Sequence, residues 1–181
     1  MASLTRVLMA VLLTALAAVP AYAAEGLQLV EQKIKAGLIY NFLKYTEWHD
    51  QAESAPITVC LYGGDAFEGH LQPMAGRTVN QRVIAIEPIA VSDDWSGCSL
   101  IFVHSDQRGA WPTLKESLVR KQIMTVADFE GFAAAGGMIE FTRVDNRIGV
   151  KINTKAIDES GLKVQDRLLK LAEASRAGGE P

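Results

Sequence analysis

The run GGMIEFTRVDNRIGVKIN, residues 136–153, constrains the fold more than any other stretch. Two strand-like segments, residues 138–144 and 148–153, flank Asp145-Asn146, which tolerate the positive φ that a two-residue hairpin turn needs. Pairing the segments around that turn predicts a register. Ile139 falls opposite Ile152 and Phe141 opposite Val150, so one face is apolar. Glu140 falls opposite Lys151 on the other face, an opposite-charge cross-strand pair. A slip of one residue destroys both matches, so the register is well specified. Gly136-Gly137 supplies backbone freedom ahead of the hairpin. Behind it, residues 153–174 read as a short helix, a stop at Gly161 and an amphipathic terminal helix.

Upstream, strand-like and helix-like segments alternate. Residues 57–62 (ITVCLY) are continuously apolar, as a strand buried on both faces should be. Further strands are expected at 82–87, where Pro88 discourages continuation, and at 100–103 and 123–126. Helices are expected at 27–48, at 111–120 with Pro112 in the first turn, and briefly at 129–135. Asp65 reads as the cap of another short helix, with Glu68 as its capping-box partner. In the first helix Val30, Ile34, Leu38, Phe42 and Tyr45 recur at helical spacing as one apolar stripe. Gly37 within it points to close packing against another element. Tyr40, Tyr45 and Trp48 read as core or interface, with a ligand-stacking cluster as the alternative. Strands alternating with helices imply a parallel sheet. The expected fold is α/β: a single domain with a mixed, mostly parallel sheet flanked by helices and an antiparallel C-terminal hairpin.

The first 23 residues read as an export signal. Arg6 gives a positive start, residues 7–19 are apolar, and Ala21-Tyr22-Ala23 is a small-x-small cleavage site. The apolar run is shorter than the roughly 20 residues a membrane span needs. Cleavage after Ala23 leaves a folded domain at 24–175 and a disordered tail at 176–181 (RAGGEP). The 181-residue chain carries 18 basic and 21 acidic residues, a formal net charge of −3. Its Lys and Arg are scattered, which argues against nucleic acid as a partner.

Little in the chain carries reaction chemistry. The two cysteines, Cys60 and Cys98, form an even count in an exported protein and predict a disulfide, the alternative being two buried free thiols. No C-x-x-C pair is present, which excludes a dithiol oxidoreductase. The three histidines, His49, His70 and His104, stand apart without metal-ligand spacing. His104-Ser105-Asp106 falls just past a strand, where ligands gather in open α/β sheets. It lacks the nucleophile-elbow context and reads as an ordinary turn. Gly63-Gly64-Asp65 departs from both phosphate-loop patterns. No enzyme, metal or cofactor is expected.

The sequence resembles the YfiR-like family of periplasmic proteins. KAGLIYNFLKYTEW, ITVCLYGGDAFEGHL, WSGCSLIFVHS, IMTVADFEGFAAAGGMIEF and NRIGVKINTKAIDESGLKVQDRLLKLA carry the resemblance, from about Ile34 to Ala172. It implies a homodimeric periplasmic regulator that binds the periplasmic sensor part of an inner-membrane diguanylate cyclase and represses it. It also implies an outer-membrane, peptidoglycan-binding lipoprotein that sequesters the repressor, releasing cyclic-di-GMP synthesis and biofilm formation. Cys60 and Cys98 match a family disulfide. The second cysteine pair of some relatives is absent, with Ala133 and Glu140 standing thereabouts, so redox switching through it is not expected. The resemblance places partner contacts at Ile139, Lys151 and Ile157, and small-ligand contacts at Lys163 and Gln165. The second reading is a periplasmic small-molecule-binding sensor module without a cyclase partner.

Overall fold

Strand β2 (Ile57–Tyr62) has no exposed member, as its uninterrupted apolar run requires of a strand covered on both faces. It lies inside a seven-stranded sheet in the order β3-β4-β2-β5-β6-β7-β8. Here β3 is Thr78–Val79, β4 Arg82–Ile89, β5 Leu100–Val103, β6 Met124–Ala127, β7 Ile139–Val144 and β8 Arg147–Ile152. The five strands from β4 to β7 run parallel, and β3 and β8 close the two ends antiparallel. A separate two-stranded antiparallel pair joins β1 (Thr46–Glu47) to β9 (Lys163–Val164). The helices are α1 (Val19–Lys44), α2 (Trp111–Leu118), α3 (Thr154–Ser160) and α4 (Asp166–Ala177). This computed structural model describes residues 19–49, 51–52, 54–90, 94–118, 121–144 and 147–177.

The fold is the mixed, mostly parallel α/β sheet expected from the sequence. The hairpin register is also the expected one: Ile139 faces Ile152, Glu140 faces Lys151 and Phe141 faces Val150. The turn residues Asp145 and Asn146 lie outside the described residues. Alternation along the strands divides the core into two layers. Val59, Leu61, Phe102, Val126, Ile139 and Phe141 pack on the α1 side with Ile39, Phe42 and Leu43. Cys60, Tyr62, Ile101 and Val103 pack on the other side with Trp111, Leu114 and Phe132. Helix α3 is capped by the Asn153 side chain, which accepts from the Ala156 N–H, and stops at Gly161, whose φ of 81° is the left-handed geometry of a helix end.

Several local expectations are corrected. The first helix ends at Lys44 rather than residue 48, because Thr46–Glu47 is captured as a strand by Lys163–Val164. Its buried face is Gln32, Lys35, Ala36, Ile39, Phe42 and Leu43. Val30 and Ile34, placed on the apolar stripe by their spacing, are exposed. Gly37 has open space where a side chain would stand, so no close packing explains it. Strand β4 continues through Pro88 to Ile89. The short β3 pairs only with Arg82 and Val83, so at Pro88 one side of β4 is a free sheet edge, where proline is tolerated, while the other side stays in register with Leu61 of β2. Residues 129–135 form turns rather than a helix, broken by Gly131 at φ 87°. The short helix expected after Asp65 is absent, residues 66–71 being turns, although the Asp65 carboxylate does accept from the Phe67 and Gly69 N–H groups. Glu68 has φ 50° and its carboxylate accepts from Gln28, so no capping box forms. Gly137 matters for space: a Cβ there would run into the buried Phe132 ring.

Helix α4 extends through Ala177, two residues into the segment expected as a tail, and 178–181 lie outside the described residues. Most of the expected export signal, residues 1–18, also lies outside them, and α1 begins at Val19. Among the described residues no helix is long and apolar enough to cross a membrane.

Candidate functional site

Among the described residues six positions of α1 are buried, and the first two of them, Gln32 and Lys35, are polar. Gln32 is 8 % exposed and Lys35 is similarly buried. Lying three residues apart, they share one helix face. Opposite them the chain leaves β6 at its carboxyl end with Asp128, the position where ligands gather in open parallel sheets. Phe141 and Arg143 on β7 complete the wall. Together these elements enclose a cleft of about 550 Å³, lined by Gln28, Glu31, Gln32, Lys35, Asp128 and the adjoining hairpin residues.

An ion chain runs along this cleft. The Lys35 ammonium donates to Glu31 Oε1 at 2.7 Å and to Asp128 Oδ2 at 3.3 Å. It also lies 5.9 Å from the centre of the Phe141 ring, a cation–π arrangement. The second oxygen of Glu31 pairs with the Arg143 guanidinium. Two cations and two carboxylates therefore cancel. A buried ammonium is tolerated only with such pairing. Two acceptors are left over, because Gln32 Oε1 and Asp128 Oδ1 are buried without a hydrogen-bond partner. An acceptor left so costs about 1–3 kcal/mol. The fold does not supply the donor that would remove this penalty.

The sequence-expected site residues are not gathered here. Cys60 and Cys98 are joined by a disulfide with Cα atoms 5.8 Å apart, buried in the opposite core layer. Ile139 and Ile157 are fully buried. Hairpin pairing and the α3 apolar face turn both, expected as partner contacts, into the core, so neither presents surface in this structure. Lys151 is 54 % exposed and alone among the three presents a surface. Lys163 lines a separate cavity of about 490 Å³ beside Thr154 and Asp158. Gln165 is exposed and its N–H donates to the Tyr45 carbonyl.

The aromatic cluster divides. Trp48 is buried and its indole N–H donates to the Ser99 carbonyl at 3.0 Å, while Tyr40 and Tyr45 are half-buried under Arg77 and Lys44. His104 caps a short 3₁₀ helix by accepting from the Asp106 N–H, as its turn reading implied. Glu31, Gln32, Lys35, Asp128 and Arg143 were not singled out from the sequence. The signal was available: with α1 in its true phase, a Gln and a Lys stand on the buried stripe. Such polar residues on an apolar face mark a site or an ion pair.

Residues 32–173 match the family model described as YfiR/HmsC-like, far more than half of the 181-residue chain. No curated protein matches the sequence.

Proposed function

The chain belongs to the YfiR/HmsC-like family, and from that membership we propose that it is a periplasmic regulatory protein. In this reading it binds the periplasmic sensor domain of an inner-membrane diguanylate cyclase and represses it. The observation that carries the proposal is the family match across nearly the whole described domain. The mechanism is mass action. A repressor that prefers the inactive cyclase conformer shifts the equilibrium by its differential affinity for the two states. Moving the cyclase from 99:1 active to 1:99 takes a preference of about 10⁴-fold. Capture of the repressor by an outer-membrane, peptidoglycan-binding lipoprotein would reverse the shift. The exposed Lys151 side of the hairpin is the part of the expected contact surface that remains open to such partners.

Two measurements together test the reading. Deleting the gene is expected to raise cellular cyclic-di-GMP, and the purified oxidised chain is expected to bind the periplasmic domain of a membrane diguanylate cyclase directly. Unchanged cyclic-di-GMP in the deletion strain would remove the proposal. A second reading, a small-molecule-binding sensor module, is favoured by one observation: the polar cleft between α1 and the hairpin with its two unpartnered acceptors.

A further inference from the structure

We propose that this cleft binds a small, neutral, hydroxyl-rich ligand, a mono- or disaccharide, through the unpartnered oxygens of Gln32 and Asp128. The proposal rests on the second reading, that the chain takes a small ligand, and adds the chemistry of that ligand.

Charge comes first. Arg143, Glu31, Lys35 and Asp128 sum to zero. A ligand ammonium drawn to Asp128 would lie close to Lys35, already 3.3 Å from that carboxylate, and a ligand carboxylate drawn to Lys35 would lie close to Glu31 and Asp128. Either meets a like charge in a partly desolvated space, where repulsion is screened less than in water. A neutral ligand meets neither. Among the described residues no group of His, Cys, Asp and Glu is arranged to hold a metal ion.

Hydrogen bonding then narrows the class. The unmet groups are acceptors buried in the cleft wall, each with less than 1 Å² of accessible surface, so the ligand must shift the side chains that cover them and bring O–H or N–H donors. At the mouth the balance reverses. Arg143, 60 % exposed, uses Nη2 on Glu31, and a guanidinium carries five N–H donors in all. A hydroxyl is the neutral group that donates on one side and accepts on the other. Several on one small frame can serve Gln32 and Asp128 inside and Arg143 and Thr142 outside. The edges of Phe141 and Ile148 add apolar lining, to which the C–H face of a sugar ring is suited. The volume of about 550 Å³ falls within the roughly 300–1,000 Å³ of small-molecule sites.

Glucose, N-acetylglucosamine and trehalose would be titrated into the full chain at up to tens of millimolar, with ethylammonium and acetate as charged comparisons. Calorimetry and backbone amide shifts report binding. At least one sugar is expected to saturate and to move amides of residues 28–35, 128 and 141–143. Gln32→Met keeps the shape and removes the acceptor; it is expected to weaken that binding tenfold or more. Lys163→Ala, in the separate cavity, is expected to leave it unchanged. Tighter binding of ethylammonium or acetate at the same amides would overturn the sugar class while leaving the small-ligand reading standing. If no probe moves a cleft amide, the proposal falls, and the small-ligand reading loses the observation that favoured it. Sugar binding that survives Gln32→Met equally overturns the proposal.

Discussion

Replacing Glu140 by alanine is expected to destabilise the folded chain by about 2–3 kcal/mol, most of it through one backbone hydrogen bond. The carboxylate is 1 % exposed. Its Oε2 accepts from the Ala133 N–H at 2.9 Å, and its Oε1 lies 3.4 Å from the Lys151 ammonium. Losing a charged acceptor that serves a buried N–H costs about 1.5–3 kcal/mol. Lys151 is half in water and 3.4 Å from its buried partner, and its removal would let water reach Glu140 Oε1, so the pair contributes about 1 kcal/mol, the upper end for exposed pairs. The ranking follows from these two magnitudes. Lys151→Ala should cost about 1 kcal/mol. Glu140→Gln keeps an oxygen for Ala133 and should cost about 1 kcal/mol. Glu140→Ala should cost the most and lower the melting temperature by roughly 4–12 °C for a chain of this size. Urea unfolding of the oxidised protein, followed by far-ultraviolet circular dichroism, measures all three. If Lys151→Ala loses as much as Glu140→Ala, the ion pair rather than the buried backbone bond holds the hairpin to the 129–137 turns, and the reasoning fails.

Three further outcomes follow from other sites. The disulfide closes a 38-residue separation, for which chain entropy gives about 4 kcal/mol; Cys60→Ala with Cys98→Ala should lower the unfolding free energy by an amount of that order, and a loss under about 1 kcal/mol would refute the estimate. Gly137→Ala should destabilise by about 1–3 kcal/mol, because the new methyl meets Phe132, a ring fixed between Trp111 and Phe129; unchanged stability would show that this ring can move aside. The Ser96 N–H, then the Ser96 hydroxyl and Lys121, hold the Asp94 carboxyl below the usual carboxylate range. A depressed folded value means that its stabilising contribution is present above the ordinary carboxylate pKa and is lost as pH falls through the folded one. Ser96→Ala removes the hydroxyl bond and should raise the Asp94 titration midpoint in a carboxyl carbon NMR titration, and a midpoint that stays put would discount that bond.

The parts of the fold that were legible in the sequence share one property: two independent constraints agreed there. In the hairpin, turn position and cross-strand matching both select Ile139 opposite Ile152. Residues 57–62 and 100–103 are apolar runs bounded by turn residues, and both form strands over those spans. Where one constraint acted alone, tertiary structure overrode it. Residues 46–47 carry helical spacing, but a partner strand at 163–164 offers them ladder bonds. Pro88 disfavours a strand in the abstract, yet past the end of β3 the strand has one free edge, the setting in which proline is tolerated. The 129–135 segment is compositionally suited to a helix, and Gly131 takes a positive φ instead. Burial of Ile139 and Ile157 was foreseeable from the same hairpin register and helix periodicity, whereas their assignment to a partner surface came from resemblance and not from the pattern of this chain.

The candidate cleft escaped notice for a single geometric reason. Reading α1 along Val30, Ile34 and Leu38 rotates the helix by roughly a third of a turn from its observed phase, at about 100° per residue. In that rotated frame Gln32 and Lys35 look like ordinary solvent-facing polar residues. In the observed frame they occupy two of the six positions of α1 that are buried among the described residues, while Val30 and Ile34 face outward. Stability alone favours the reverse arrangement: an apolar side chain at position 32 would fill the same space without an unmet acceptor, whose penalty is about 1–3 kcal/mol. A buried ammonium and carboxylate at positions 35 and 128 add desolvation that apolar packing would avoid. Natural sequences break local rules of this kind chiefly at functional sites. The inversion of α1, polar inward and apolar outward over one stretch, is therefore itself the evidence that its N-terminal half is shaped for something other than holding the sheet.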